Sequence, residues 1–208
     1  MSAAEQLFGE RGLHAVTLKD INAAAGQRNE SALHYHFGSK QRLVQAILDA
    51  RVGAIDKRRA ERIEALLETG GADDLHAILR ATFEPLTGLL DTEEGVRFVR
   101  FAAQVLNDPD HDLPTVAIKS GFEGINRANG LIMAALGDLA PEIAIQRQRL
   151  LVEMVLTSLA IWTRRPDAMS NGAARSFFVS SLFDAMAGAL RAPVSPETLA
   201  ALRETLKD

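Results

Sequence analysis

Residues 17–40 read TLKDINAAAGQRNESALHYHFGSK, and their punctuation decides how the chain begins to fold. Thr17 stands just before an apolar-periodic run and Asp20 follows three residues later. The Thr hydroxyl can therefore cap a helix while the Asp side chain reaches back to the Thr17 amide. Leu18, Ile21 and Ala25 share one face of that helix, and Gly26 ends it. A polar turn, Gln27-Arg28, leads to Asn29 as the next N-cap. Leu33 and Phe37, four apart, anchor a short third helix. Ser39 caps a fourth, along which Leu43, Ile47, Ala50 and Ala54 recur to about Glu68. Upstream, Ala4, Leu7, Phe8 and Arg11 keep helical spacing until Gly12 closes them.

Two short helices joined by a tight Gly-containing turn form a helix-turn-helix when the second exposes polar side chains. With Leu33 and Phe37 turned to a small core, Ser31, His34, Tyr35 and the turn residues Arg28 and Asn29 face outward. Such side chains donate to and accept from phosphates and base edges, as a helix in the major groove of double-stranded DNA requires. Lys40, beside the free N–H groups of a helix start, is placed as a phosphate anchor. Tyr35 and His36 also have a bland reading, closure of the small core. His34 and His36, two apart, point about 200° away from each other on a helix. They do not chelate together, and no metal or cofactor is expected.

Composition agrees with a globular chain: 208 residues, 47% of them apolar, can bury a core. The absence of cysteine excludes disulfides and thiolate metal sites and fits a reducing compartment. The N-terminus has neither a basic flank nor an apolar signal core. The most apolar run, LLVEMVLTSLAIW at 150–162, is short for a membrane span and carries Glu153. A cytoplasmic protein with no membrane partner is expected. The net charge of −4 is uneven: residues 1–62 hold ten Lys or Arg against seven Asp or Glu, the remainder thirteen against twenty. The basic end carries the helix-turn-helix, a weak pointer to an anionic partner there.

AAEQLFGERGLHAVTLKDINAAAG followed by SALHYHFGSKQRLVQAIL resembles the DNA-binding region of the tetracycline-repressor (TetR/AcrR) family of bacterial transcription regulators. The likeness covers residues 3–48 and combines F-x-E-R-G, T-x-x-D-I, A-x-A-G and Y-H-F-x-S-K in order. It implies backbone contacts from Thr17, Tyr35, His36 and Lys40, with Arg28, Asn29, Ser31 and Ala32 approaching bases and Gln27 and His34 beside them. Two departures stand out. The stretch from Gln27 to His36 is one residue longer than is usual between the turn Gly and the Phe, and His34 stands where the family commonly has Tyr. The resemblance implies a homodimer on palindromic operator DNA.

Beyond residue 48 the chain has no motif, and 49–208 reads as one helical ligand-binding and dimerisation domain. Helical patterns run over about 73–90, 93–107, 113–137, 141–165, 172–190 and 196–206, and no stretch alternates like a strand. The expectation is an all-α protein, a three-helix module followed by a larger helical domain. The loop DPDHD at 108–112 opens like a calcium loop but has Leu113 and Lys119 where Gly and Glu belong; a solvated loop is the better reading. Lys57-Arg58-Arg59 with Arg62 reads as a solvated helix face. No signature of a nucleophile elbow, zinc protease or phosphate loop occurs, so catalysis is not expected. A helical carrier or enzyme without a DNA-binding role is the competing reading.

Two helical faces in this part invite function. Ile118, Phe122, Ile125, Asn129, Ile132 and Leu136 form an apolar stripe in which Asn129 is out of place. Asn126 and Met133 flank it, and Gly121, Gly124 and Gly130 leave room. One reading is a pocket for a largely apolar small-molecule effector, with Phe83, Phe98, Phe101 and Trp162 among its walls; the other is an asparagine satisfied inside the core. The second face is the helix of Leu151 and Val155 with a later one carrying Phe177, Ser181, Ala185, Gly188 and Ala189. Its small residues let another helix approach, as in a four-helix dimer interface.

Overall fold

The computed structural model describes residues 1–27, 32–111, 121–137 and 139–207. Among these residues the chain is helical, with no strand. The helix-turn-helix module holds α1 (Ser2–Arg11), α2 (Leu18–Ala24) and α3 (Ala32–Phe37). A long α4 (Lys40–Glu68) leads out of it. There follow α5 (Leu75–Thr87), α6 (Glu93–Leu106), α7 (Glu123–Leu136), α8 (Pro141–Trp162), α9 (Gly172–Arg191) and α10 (Pro196–Thr205). Short 3-10 turns at Gly71–Asp73 and Gly88–Asp91 flank α5.

The caps explain where the helices begin. Thr17 Oγ1 accepts the Asp20 amide at 3.2 Å while Asp20 Oδ2 accepts the Thr17 amide at 2.8 Å, the reciprocal box read from the sequence. Ser39 Oγ accepts the Arg42 amide at 3.2 Å, and Asp74, Thr92, Asn171 and Ser195 cap later helices in the same way. Proline opens α8 and α10, where its missing N–H is no loss.

Two large apolar cores result. One joins α1, α2, α4 and α6 through Phe8, Ile21, Leu43, Ile47, Phe98 and Phe101. The other joins α5 to α9 through Ile78, Phe83, Val99, Ile132, Leu159 and Phe183. The helix-turn-helix is thus welded to the rest of the chain. At Gly9 a Cβ would stand 3.0 Å from Arg100 Cβ and 3.2 Å from the Phe101 amide nitrogen, so α1 lies directly on α6. Arg51 on α4 clasps the fully buried Glu5 of α1 at 2.8 and 3.0 Å and reaches Glu94 of α6 at 2.6 Å. Those bonds hold the Arg51 guanidinium above its ordinary value and the Glu94 carboxyl below it.

Several sequence expectations are corrected. Ala25 is exposed in the turn after α2, and Leu13 and Val16 fill the core instead. Ala50 and Ala54 face solvent; the buried side of α4 drifts through Val44, Leu48, Ile55, Asp56 and Arg59, because a helix turns 100° per residue and a strict four-residue spacing walks off its face. Leu151 and Val155 lie inside the chain's own core, 1% and 0% exposed, so neither is free to form a dimer interface. The segment 112–120, including Ile118, Leu113 and Lys119, lies outside the described residues.

Candidate nucleic-acid interface and ligand cavity

The short helix α3 presents His34, Tyr35 and His36 to solvent, while Phe37 packs half-buried on the first core. Tyr35 is 87% exposed, and its ring meets the His36 ring edge-on at 5.7 Å. An aromatic left that open on a short, polar helix does nothing for the fold. Thr17 and Gln27 are exposed as well. Arg28, Asn29 and Ser31 lie outside the described residues, as does the side chain of Ala32. Lys40 turns partly inward, where its Nζ donates to the carbonyls of Leu13 and Val16 at 2.8 and 3.2 Å and braces the loop between α1 and α2. One of its three N–H groups remains for an outside acceptor.

A second link to this module is electrostatic. His14, on the α1–α2 loop, stands 3.1 Å from Asp108 Oδ2, and His111 Nδ1 stands 3.1 Å from Asp108 Oδ1. Burial pushes the Asp108 carboxyl up, but hydrogen bonds from His111 and the Asp110 amide, with the charges of His111 and His14, hold it below its ordinary value. The loop read as solvated therefore centres on a buried carboxylate. No group of acids and histidines suited to a metal occurs among the described residues.

A cavity of about 420 Å³ lies between α4, α5, α6, α7 and α8, within the size range of small-molecule sites. Phe83, Phe98, Phe122, Asn129 and Met133 line it, five of the residues singled out from the sequence. The other three do not. Phe101 is fully buried between Phe8 and Phe98 in the first core. Trp162 stacks on Phe178 at 4.5 Å under the Arg165 guanidinium, and Asn126 points to solvent on the outer face of α7. The glycines do not make room beside Asn129 either; a Cβ at Gly124 would stand 2.6 Å from the Asp56 carbonyl, so Gly124 lets α7 touch α4.

Sequence reading missed most of the cavity's polar groups. Arg59 is buried, not solvated: Nε donates to the Thr82 carbonyl at 2.9 Å and Nη1 to Asp56 Oδ1 at 2.6 Å. Burial pulls the guanidinium below its ordinary value while Asp56 supports its charge. Asp56 also accepts the Gly124 and Ile125 amides at 2.9 and 2.8 Å, a carboxylate at the N-terminus of α7. Gln148 and Arg149 line the cavity from α8. The signal that could have found Arg59 is its place in the stripe Leu48, Val52, Ile55, Arg59 on α4, whose other members are all apolar.

Comparison with known proteins places the first part of the chain. Residues 1–47 match the family of bacterial regulatory proteins described as tetR family. That match covers the helix-turn-helix module, α1 to α3, and the start of α4. The chain is also similar to the HTH-type transcriptional repressor KstR2 of Rhodococcus jostii (strain RHA1), 33% identical over 86 residues. That match spans 41% of this chain and 41% of the relative. Beyond the matched residues α4 runs from the helix-turn-helix into the cavity wall, and α6 carries Phe98 and Ala102 on the cavity side while holding α1 on another.

The outer face of α9 is open along Phe177, Ser181, Ala185, Gly188 and Ala189, with Phe177 76% exposed. On α8 the exposed large apolar residues are Ile145, which lines the cavity, and Leu150 and Ile161. Among the described residues no single helix is long and apolar enough to cross a membrane.

Proposed function

We propose that the protein is a transcriptional repressor that binds a palindromic operator as a homodimer and is released by a small molecule entering the cavity. One observation carries the reading: α1 of the tetR-family domain is packed on the same helix, α6, that walls the cavity. A ligand that shifts α6 or α4 must move the helix-turn-helix with it. Two recognition helices fit successive major grooves about 34 to 36 Å apart, and a coupling of about 1 to 3 kcal/mol between cavity and DNA is enough to regulate. Tyr35, His36 and Thr17 serve as backbone contacts in this reading, with His34, Gln27, Arg28, Asn29, Ser31 and Ala32 near the bases and Lys40 both bracing the module and meeting a phosphate. The open face of α9 with Leu150 and Ile161 of α8 forms the dimer contact. We keep the division after residue 48 as a functional one, although α4 runs through it.

A gel-shift titration with DNA flanking its own gene tests the proposal. Retarded complexes that a cavity ligand dissolves support it. A protein that binds the ligand and no DNA is the helical carrier instead.

A further inference from the structure

We propose that the cavity takes a monoanionic amphipath, an aliphatic or alicyclic body carrying one carboxylate, read by Arg59, Gln148 and Arg149. The inference deepens the effector reading and rests on it for its role in regulation. The binding chemistry stands on the cavity alone.

The polar lining is one-sided. Two guanidiniums and the Gln148 amide line the cavity together with Asn129, and among the described residues no carboxylate lines it. Gln148 Nε2 is buried with no hydrogen-bond partner among the described residues. A buried donor left unpaired is costly, so an acceptor arriving in the cavity gains what the empty site forgoes. Arg59 uses its Nε and one Nη on Thr82 and Asp56; of the five N–H groups on a guanidinium, three remain. Arg149 is exposed and no acid pairs with it among the described residues.

Charge then selects the class. Asp56, behind Arg59, neutralises it and spends both oxygens on Arg59, Gly124 and Ile125. The two guanidiniums and this one carboxylate leave one net positive charge, that of Arg149. A single negative charge balances it; a phosphate dianion exceeds it, and an ammonium meets like charge with no lining acid to receive it. The planar carboxylate also suits the fork of a guanidinium. Apart from Asn129 the rest of the described wall is apolar, including Leu48, Val52, Phe83 and Phe98, so the body of the ligand is hydrocarbon.

Isothermal titration of the full chain with decanoate, decanol and decylamine, and with 1-adamantanecarboxylate against 1-adamantanemethanol, reads the head group on two body shapes. In at least one pair the carboxylate should bind about tenfold or more tighter than its neutral or cationic counterpart, the effect of one or two charge-assisted hydrogen bonds. Arg149→Gln, at an exposed position, should remove most of that preference. Gln148→Leu should weaken the acid and strengthen the alcohol, with melting temperature as the check on folding. Equal or tighter binding of the alcohols or the amine overturns the assignment, as does absence of binding by both acids, or an unchanged preference in both variants. Decanoate that binds with the stated preference yet leaves a DNA complex intact refutes effector release and upholds the carboxylate site. Release of DNA by decanol alone does the reverse.

Discussion

Replacing Asp56 by Asn probes the joint between the helix that leaves the DNA-binding module and the helix that carries Asn129. The carboxylate accepts from Gly124 at 2.9 Å, Ile125 at 2.8 Å and Arg59 at 2.6 Å, and both Asp56 and Arg59 are about 95% buried, at 5% and 6% exposure. Asn keeps the shape and one carbonyl oxygen. Its NH₂ must face either the Gly124 N–H or both the Ile125 N–H and the guanidinium, donor against donor, and the buried cation loses its counter-charge. Stranding one partner of a buried pair costs about 3 to 5 kcal/mol. With an m-value of about 2 to 3 kcal/mol/M, the urea midpoint should fall by roughly 1 to 2.5 M. Arg59→Met in the same chain removes the stranded charge and should recover a large part of the loss, because an apolar group of similar length can replace such a pair. A midpoint for Asp56→Asn within about 0.3 M of the wild type, or a double variant as weak as the two single losses added, refutes this reasoning.

The remaining predictions concern acid stability and assembly. The Asp108 carboxyl lies below its ordinary value in the folded chain, so it contributes stability above its unfolded value near 3.8 and loses that contribution as pH falls through the folded value. The difference in urea midpoint between wild type and Asp108→Asn should therefore be full at pH 6 and close steadily below about pH 4; a constant difference removes the carboxylate charge from the account. Ala185→Arg places a charge on the open face of α9. It should leave the melting temperature of the monomeric fold intact, halve the sedimenting mass, and weaken operator binding more than tenfold; an intact dimer moves the interface elsewhere.

What the sequence displays and what it hides follow from physical range. Thr17 with Asp20, and Ser39, announce helix starts because capping is local to one turn, and the structure places those caps as read. Most helix boundaries after residue 75 follow because Gly, Pro, Asn and Asp interrupt the apolar period, but the run read as 113–137 is broken at Gly121, at positive φ, and α7 begins only at Glu123. Leu151 and Val155 are misplaced by sequence because a helix apolar nearly all round does not say which side its own domain will cover. Arg59 hides among Lys57, Arg58 and Arg62, charged neighbours that are solvated, because only the packing of α5 and α7 on α4 buries it. Trp162 and Phe101 suit a cavity wall by their size, and size alone does not separate core from cavity. Lys40 points outward when read from its helix position, while the carbonyls of Leu13 and Val16, far away in sequence, claim two of its protons.

The most direct test of the central claim is a footprint of the purified protein on the DNA flanking its own gene, repeated across a salt series. The account predicts two protected half-sites about one helical turn or a multiple apart. It further predicts affinity that falls linearly on logarithmic axes, by about 0.9 per phosphate neutralised. No protection on any flanking fragment, or a complex indifferent to salt, contradicts it.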